Sequence, residues 1–321
     1  VHDSLDGRWW AVGDVDEIGA VAERMGGVPR GHVRVGEFSS GTGRERYVAS
    51  VRRALELIAA GDVFQVNLAH RLSAEFGGRP RELAARMVES ARPWFGAWIE
   101  WWEGRALRNA VLSLSPELFL DVDGADRRVV TRPIKGTRPA GGDARELLNS
   151  EKECAELTMI VDLMRNDLGR VCDFGSVRVE RAREIEAHAG VIHGVATVSG
   201  RLRARVGLAD LLRATFPPGS VTGAPKVRAM QIIDELEPVR RGPYCGSVGF
   251  VSDCGRACWS VAIRTATLTC ESGSDANSAR GTLDYSVGAG IVADSDPEAE
   301  WEETLSKARM LDALGADGAA P

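Results

Sequence analysis

No apolar run in this 321-residue chain approaches the ~18 residues that a membrane-spanning helix needs. The first residues, Val1-His2-Asp3-Ser4, lack the basic and apolar regions of a signal peptide. The chain opens on Val rather than Met, as a fragment or a chain that has lost its start would. There is no surplus of positive charge. Forty basic residues against 46 acidic ones leave a net charge of −6, no footprint for nucleic acid, and no basic amphipathic helix points to a membrane surface. Cysteines are few: six, far apart, and the closest pair, Cys254 and Cys258, has no partner pair at zinc spacing. Free thiols in a reducing cytoplasm are expected. The five histidines show neither metal spacing nor a Ser/His/Asp order. Internal repeats and low-complexity tracts are absent too. What is present is an ordinary globular composition, 44% apolar and 27% charged, enough to bury a large core. The length suits two domains or one large sheet-rich domain.

Along the chain, residues 1–43 read as a Gly-rich lead-in closed by Ser39-Ser40-Gly41-Thr42-Gly43. Apolar residues at helical spacing, Val48, Val51, Leu55 and Ile58, predict a helix over Arg44–Ala60 that Gly61 stops. Strands are expected at Val63–Leu72, Ala110–Val122, Val129–Arg132, Tyr244–Ser252, Ala257–Thr269 and Leu283–Val292. Helices are expected at Arg79–Ala91, Asp143–Leu168, Leu208–Ala214 and Ala224–Leu236. Asp296-Pro297 opens a last helix, with Pro near the first helical position and acids in the first turn. Residues 315–321 read as a disordered tail. Hairpins and long excursions join the strands instead of regular βαβ units, which favours α+β over a doubly wound sheet.

Two segments imitate nucleotide motifs. Gly288-Ala289-Gly290 fits a loose dinucleotide fingerprint but lies inside a strand with no βαβ unit to follow. Gly219-Ser220-Val221-Thr222-Gly223-Ala224-Pro225-Lys226 suggests a phosphate loop, yet its Lys is displaced and no Ser or Thr follows it. It reads as a turn feeding a helix. His193, between Ile192 and Val195, reads on its own as a core histidine.

Three features carry chemistry. Glu153 and Glu156 share one helix face, as do Glu300 and Glu303. Brought together, the two pairs would offer hard oxygen ligands suited to magnesium. Lys135, in Arg132-Pro133-Ile134-Lys135-Gly136-Thr137, sits on a bend framed by Pro and Gly. Exposed, it is only a charge; beside Arg132, Arg138 or a metal, its amine would become a nucleophile.

Six segments then occur in a telling order: Gly61-Asp62-Val63-Phe64-Gln65-Val66-Asn67-Leu68, Ser115-Pro116-Glu117, the Lys135 run, Met159-Ile160-Val161-Asp162-Leu163-Met164-Arg165-Asn166-Asp167, Phe216-Pro217-Pro218-Gly219-Ser220-Val221-Thr222-Gly223-Ala224-Pro225-Lys226, and Gly288-Ala289-Gly290-Ile291-Val292-Ala293-Asp294-Ser295. The chain resembles the chorismate-utilising enzymes in this order over about residues 44–314, which is taken as the catalytic domain. The resemblance implies two large, mostly antiparallel sheets packed together with helices outside, and a shortened N-terminal part. It implies a magnesium-dependent chorismate site in which Glu153, Glu156, Glu300 and Glu303 are the metal acids. Glu117 falls on the general acid, which protonates a poor leaving hydroxyl. Tyr244 and Arg264 fall where a substrate carboxylate is held, and the Gly288 and Gly290 backbone where the other one approaches. His193 falls on an active-site histidine, although Gly194-Val195-Ala196 replaces the relatives' hydroxyl-bearing segment. Gln65, Thr137 and Thr222 are expected to line the site.

Within the family, Gln65 stands where isochorismate and salicylate synthases resemble one another in carrying a lysine base. Water is then poorly activated, which favours ammonia. Lys135 stands where anthranilate synthases typically carry Ala, so the chain resembles the aminodeoxychorismate synthases, whose product leads to 4-aminobenzoate and folate. Ammonia implies a source. With no amidotransferase Cys elbow here, Cys245 being expected in a strand, a separate glutamine amidotransferase subunit is the expected partner. Two alternatives stand beside this: an anthranilate synthase component I, and a catalytically silent subunit on the same fold.

Overall fold

The longest ladder of the fold joins β5 (Gln65–Gly78) to β17 (Ala279–Ile291), from Gly78 opposite Ala279 to Val66 opposite Ile291. This computed structural model describes residues 2–3, 8–9, 33–103, 106–139, 145, 147, 150–188, 191–271 and 278–315. Most of the expected lead-in, the start of the expected Asp143–Leu168 helix and residues 316–321 of the tail lie outside the described residues. Around β5 and β17 an eight-stranded sheet forms. β13 (Gly223–Ala224) flanks β5. On the other side follow β16 (Thr265–Cys270), β7 (Ala106–Ser115) and β6 (Phe95–Glu103). Short β3 (Val33–Val35) and β4 (Ser39–Ser40) also pair with β5, while β1 (His2–Asp3) and β2 (Arg8–Trp9) pair only with each other.

The second sheet has seven strands. Its order runs β10 (Ile134–Pro139), β12 (Val191–Arg201), β9 (Arg128–Arg132), β8 (Leu118–Val122), β15 (Ala257–Val261) and β14 (Ser247–Val251), with β11 (Arg178–His188) also on β12. Every pairing in both sheets is antiparallel. The fold is α+β, as expected.

Among the described residues, six longer helices pack on these sheets: α1 (Arg44–Ala59), α2 (Pro80–Ala91), α3 (Glu151–Gly169), α4 (Leu208–Thr215), α5 (Lys226–Leu236) and α6 (Pro297–Ala308). Apolar residues of α1 recur at helical spacing, so Tyr47, Val48, Val51, Ala54 and Leu57 are buried together. They meet Val66, Leu68, Ala289, Ile291, Ile232 and Trp301 in one cluster against β5 and β17. A second cluster packs Leu83 and Met87 of α2 on Leu107, Leu112, Leu268 and Leu283. A third packs Leu157 and Val161 of α3 on Phe119, Leu120, Val129 and Val198 of the other sheet. α6 starts where the Asp296 carboxylate accepts from the Glu298 and Ala299 N–H groups, a cap that contributes about 1 kcal/mol.

The structure corrects several sequence expectations. The run expected as one strand over Ala110–Val122 is two, β7 and β8, in different sheets. Pro116 has no N–H to give a ladder, and the chain crosses there. The Ala257–Thr269 run also divides, into β15 and β16 in different sheets, with Arg264 at φ 49° at the crossing. Cys245 lies in a turn at φ 63°, and the strand begins only at Ser247. The Lys135 bend proves to be strand β10 with a bulge between Lys135 and Thr137, where Gly136 takes φ 81°. β6 and β11 had no signal, because β6 runs apolar and aromatic residues together and β11 is dominated by Arg and Glu. All six cysteines are free thiols. No helix among the described residues is long and apolar enough to cross a membrane.

Candidate active site

Glu117 follows the first crossing between sheets and is buried. Burial pushes its carboxyl up to about 7, against the opposing pull of a Ser220 hydroxyl bond, the Lys135 charge and the Ile134 N–H. Such a group is half protonated near neutral pH and suits proton donation. The Ser115 hydroxyl also accepts from the Glu117 N–H at 3.1 Å, fixing the turn.

Lys135 reaches in from β10. Its Nζ lies 3.4 Å from Glu156 Oε2. A Cβ at Gly290 would stand 3.1 Å from that Nζ and 2.7 Å from Gln65 Nε2. Lys135, Gln65 and Gly290 therefore converge, with Glu117 close enough to feel the lysine charge. Gln65 opens β5 and is fully buried, yet neither of its amide atoms has a hydrogen-bond partner. A buried polar group left unmatched costs about 1–3 kcal/mol, a cost characteristic of ligand-facing positions. The surroundings of Lys135 differ from expectation. Arg132 is drawn off to Glu184 and Glu186, and Arg138 to Glu153 at 2.9 Å. A carboxylate, not a cation, is the lysine's charged neighbour.

Thr137 Oγ1 and His193 Nδ1 share a 2.9 Å hydrogen bond across β10 and β12. Tyr244 is buried, with its hydroxyl 3.1 Å from where a Cβ of Gly288 would sit. Only glycine leaves room there. The structure gives Thr222 a different contact from a free donor, since its hydroxyl donates back to the Pro218 carbonyl at 3.0 Å. The Thr222 carbonyl accepts from the Asn67 N–H at 2.8 Å. Arg264 sits at the second crossing, beside the first.

The four acids are less assembled than the pattern predicted. Glu156 faces Lys135. Glu153 lies between Arg138 at 2.9 Å and Arg183 at 3.9 Å. Glu300 is buried and accepts from the Ser295 hydroxyl at 2.6 Å, and Glu303 pairs with Lys307 at 2.8 Å. No group of three or more His, Cys, Asp or Glu is gathered for a metal among the described residues. The donor type still fits magnesium, which takes few protein carboxylates and keeps other oxygens. Glu153 Oε2, buried without a hydrogen-bond partner, is an atom a hard cation would satisfy.

Sequence reasoning gave no role to Ser220, which bonds Glu117, or to Arg183, which reaches Leu147, Cys154 and Glu153. Arg183 had no signal, because its strand had none. Arg241 was also passed over, although the Glu237/Arg241 spacing of four just before Tyr244 is a readable pair.

A profile of the family described as chorismate binding enzyme matches residues 13–312. The chain belongs to the chorismate-binding enzymes. It is 46% identical over 275 residues to the aminodeoxychorismate synthase component 1 of Klebsiella aerogenes, covering 84% of this chain and 57% of that one. It is 44% identical over 302 residues to the anthranilate synthase component 1 of Thermus thermophilus, covering 91% and 60%. A solved structure, anthranilate synthase component I from Streptococcus pneumoniae, superposes with a TM-score of 0.76 at 33% identity, covering 92% of this chain and 64% of that one. The chain thus spans about three fifths of the length of the curated relatives it matches. These chorismate-binding relatives include both product types at similar identity, so the choice rests on the residues around Lys135.

Proposed function

We propose that this chain is the chorismate-converting component of an aminodeoxychorismate synthase, working in the cytosol with a separate glutamine amidotransferase. The observation that carries this is Lys135, with its amine beside Gln65 and Gly290 and near a Glu117 carboxyl poised at about 7. Relatives named component 1 support a partner subunit.

In the proposed reaction Lys135 first passes a proton to the Glu117 carboxylate, and its freed amine then adds at ring carbon 2 while protonated Glu117 gives that proton to the departing carbon 4 hydroxyl. Water leaves. Ammonia then adds at carbon 4 and the Lys135 amine departs from carbon 2. The surplus proton on the new amine returns to the Glu117 carboxylate, so the net change is ammonia in and water out. Tyr244 and Arg264 would hold one substrate carboxylate, and the Gly288 and Gly290 backbone would let the other approach. Thr137 fixes the His193 ring by their hydrogen bond. Gln65 offers an amide where a base would activate water, which leaves ammonia the better nucleophile. Glu153, Glu156, Glu300 and Glu303 would hold a magnesium ion, which when bound would neutralise a substrate carboxylate and orient the ring.

The test is incubation with chorismate, magnesium and ammonium, with the product identified by mass and retention time. 4-Amino-4-deoxychorismate is the expected product. Anthranilate would assign the chain to the second reading, which the 44% identity to the Thermus thermophilus enzyme keeps in view. No consumption of chorismate would favour a silent subunit, a reading that gives no chemical reason for Lys135 and Glu117 to converge.

A further inference from the structure

Three stretches of chain meet at the Arg241 guanidinium. Arg241 is largely buried, as is its partner Glu237. Its Nε donates to Glu237 Oε2 at 2.8 Å, and a terminal nitrogen donates to Oε1 at 2.6 Å. The same terminal nitrogen donates to the Asn67 carbonyl at 2.7 Å, and the other one to the Val221 carbonyl at 2.8 Å. Glu237 Oε1 also accepts from the Ala69 N–H at 2.8 Å. The Arg241 carbonyl accepts from the Tyr244 N–H at 3.2 Å.

These contacts join β5, the 219–222 turn and the Tyr244 turn. Gln65 lies two residues from Asn67, and Thr222 is next to Val221. The direct backbone links between β5 and the turn are few: Asn67 to Thr222, Phe64 to Ala224, and the two-residue β13 pairing. So short a ladder is weak without a side-chain tie. Only a planar fork with five donors meets acceptors in three directions at once; an ammonium on a flexible stem does not.

We propose that Arg241, held by Glu237, is a positioning residue that clasps the Gln65 strand, the Thr222 turn and the Tyr244 turn into one wall of the chorismate site. The inference rests on the reading of Gln65, Thr222 and Tyr244 as site walls. Lys135 is outside the clasp, because it comes from β10 in the other sheet.

The variant to make is Arg241→Lys, which keeps the charge opposite Glu237 and loses the fork. A double variant, Arg241→Met with Glu237→Gln, removes both charges and so avoids leaving one buried and unpaired. Two readouts are needed. In hydrogen exchange, the Phe64 and Asn67 amides should exchange at least tenfold faster in both variants, while the Val129 and Val198 amides of the other sheet stay unchanged. In steady-state assays of chorismate consumption, KM for chorismate should rise tenfold or more, and kcat should change less than KM does.

Exchange that quickens equally in both sheets, or a KM that does not move, overturns the clasp and leaves Arg241 as a general stabiliser. A parent chain that does not consume chorismate would sink the proposed function, while the exchange readout would still decide for or against the clasp.

Discussion

Glu117 and Arg264 stand at two neighbouring crossings that hydrogen-bond to each other. The Glu117 carbonyl accepts from the Val261 N–H at 3.0 Å, and the Arg264 carbonyl accepts from the Leu114 N–H at 3.0 Å. Each crossing carries the chain from one sheet to the other. A proposed proton donor and a proposed carboxylate clamp are therefore set by sheet backbone, and not by loose loops.

The carboxyl of Glu117 gives the pH dependence. It donates only when protonated, and that form declines as pH rises through about 7. Turnover should fall on the alkaline side with an inflection near that value. Glu117→Gln should lower kcat by ~10²–10⁴-fold, measured by chorismate consumption. For stability the sign is fixed by the raised value. The folded state holds the proton more tightly than the unfolded chain at 4.5, so this contribution is present at low pH and is lost as pH rises through about 7. At pH 8 the Gln variant should melt higher than the parent.

Lys135→Ala should lose most carbon 4 amination and still bind chorismate, because Arg264 and the acids are untouched. Product analysis and titration calorimetry would read the two effects. An intact-mass search of the parent should find a ring–lysine adduct. Full aminodeoxychorismate production by the Ala variant would return Lys135 to a charge on a bulged strand.

Gly290→Ala would place a methyl 2.7 Å from Gln65 Nε2 and 3.1 Å from Lys135 Nζ. Both are ends of flexible side chains, so melting temperature should hardly move. The displaced amine and amide should lower kcat/KM at least ~10-fold, a loss of about 1.4 kcal/mol in transition-state binding.

Magnesium removal by chelation should abolish turnover, and re-addition of the ion should restore it. Glu156→Gln or Glu303→Gln should weaken magnesium binding at least ~10-fold by calorimetric titration with chorismate present, since each removes a hard anionic oxygen. Unchanged binding in both variants would strike them from the ligand set.

The fold class was legible because helix periodicity and turn residues are local signals. Val48 and Val51 lie on the buried face that their spacing predicted, while Leu55 and Ile58 pack against it only partly buried. The crossings at Pro116 and Arg264 were not legible, since an apolar run gives no sign that it changes sheets. β11 was invisible for a similar reason: it presents Arg and Glu along most of its length and takes its place through pairing with β12. For the site, resemblance named Lys135, Gln65 and Gly290, and the geometry brings them together. It could not tell which cation Glu153 would face, because Arg138 and Arg183 come from two different strands, β10 and β11, whose packing on the helix is not written in the sequence.

The β5–β17 ladder has a further consequence for how the molecule comes to be. Its partners are the thirteen residues of β17, which follow it in the sequence only after many other elements. While the protein is being synthesised, β5 has one long edge without its mate until those residues emerge. Contacts of such sequence separation make folding slow, and the unpaired edge is the natural place for intermolecular association. The Gly290 position beside Lys135 comes from that same strand, so the nascent chain cannot bring Gln65, Lys135 and Gly290 together until β17 has been made.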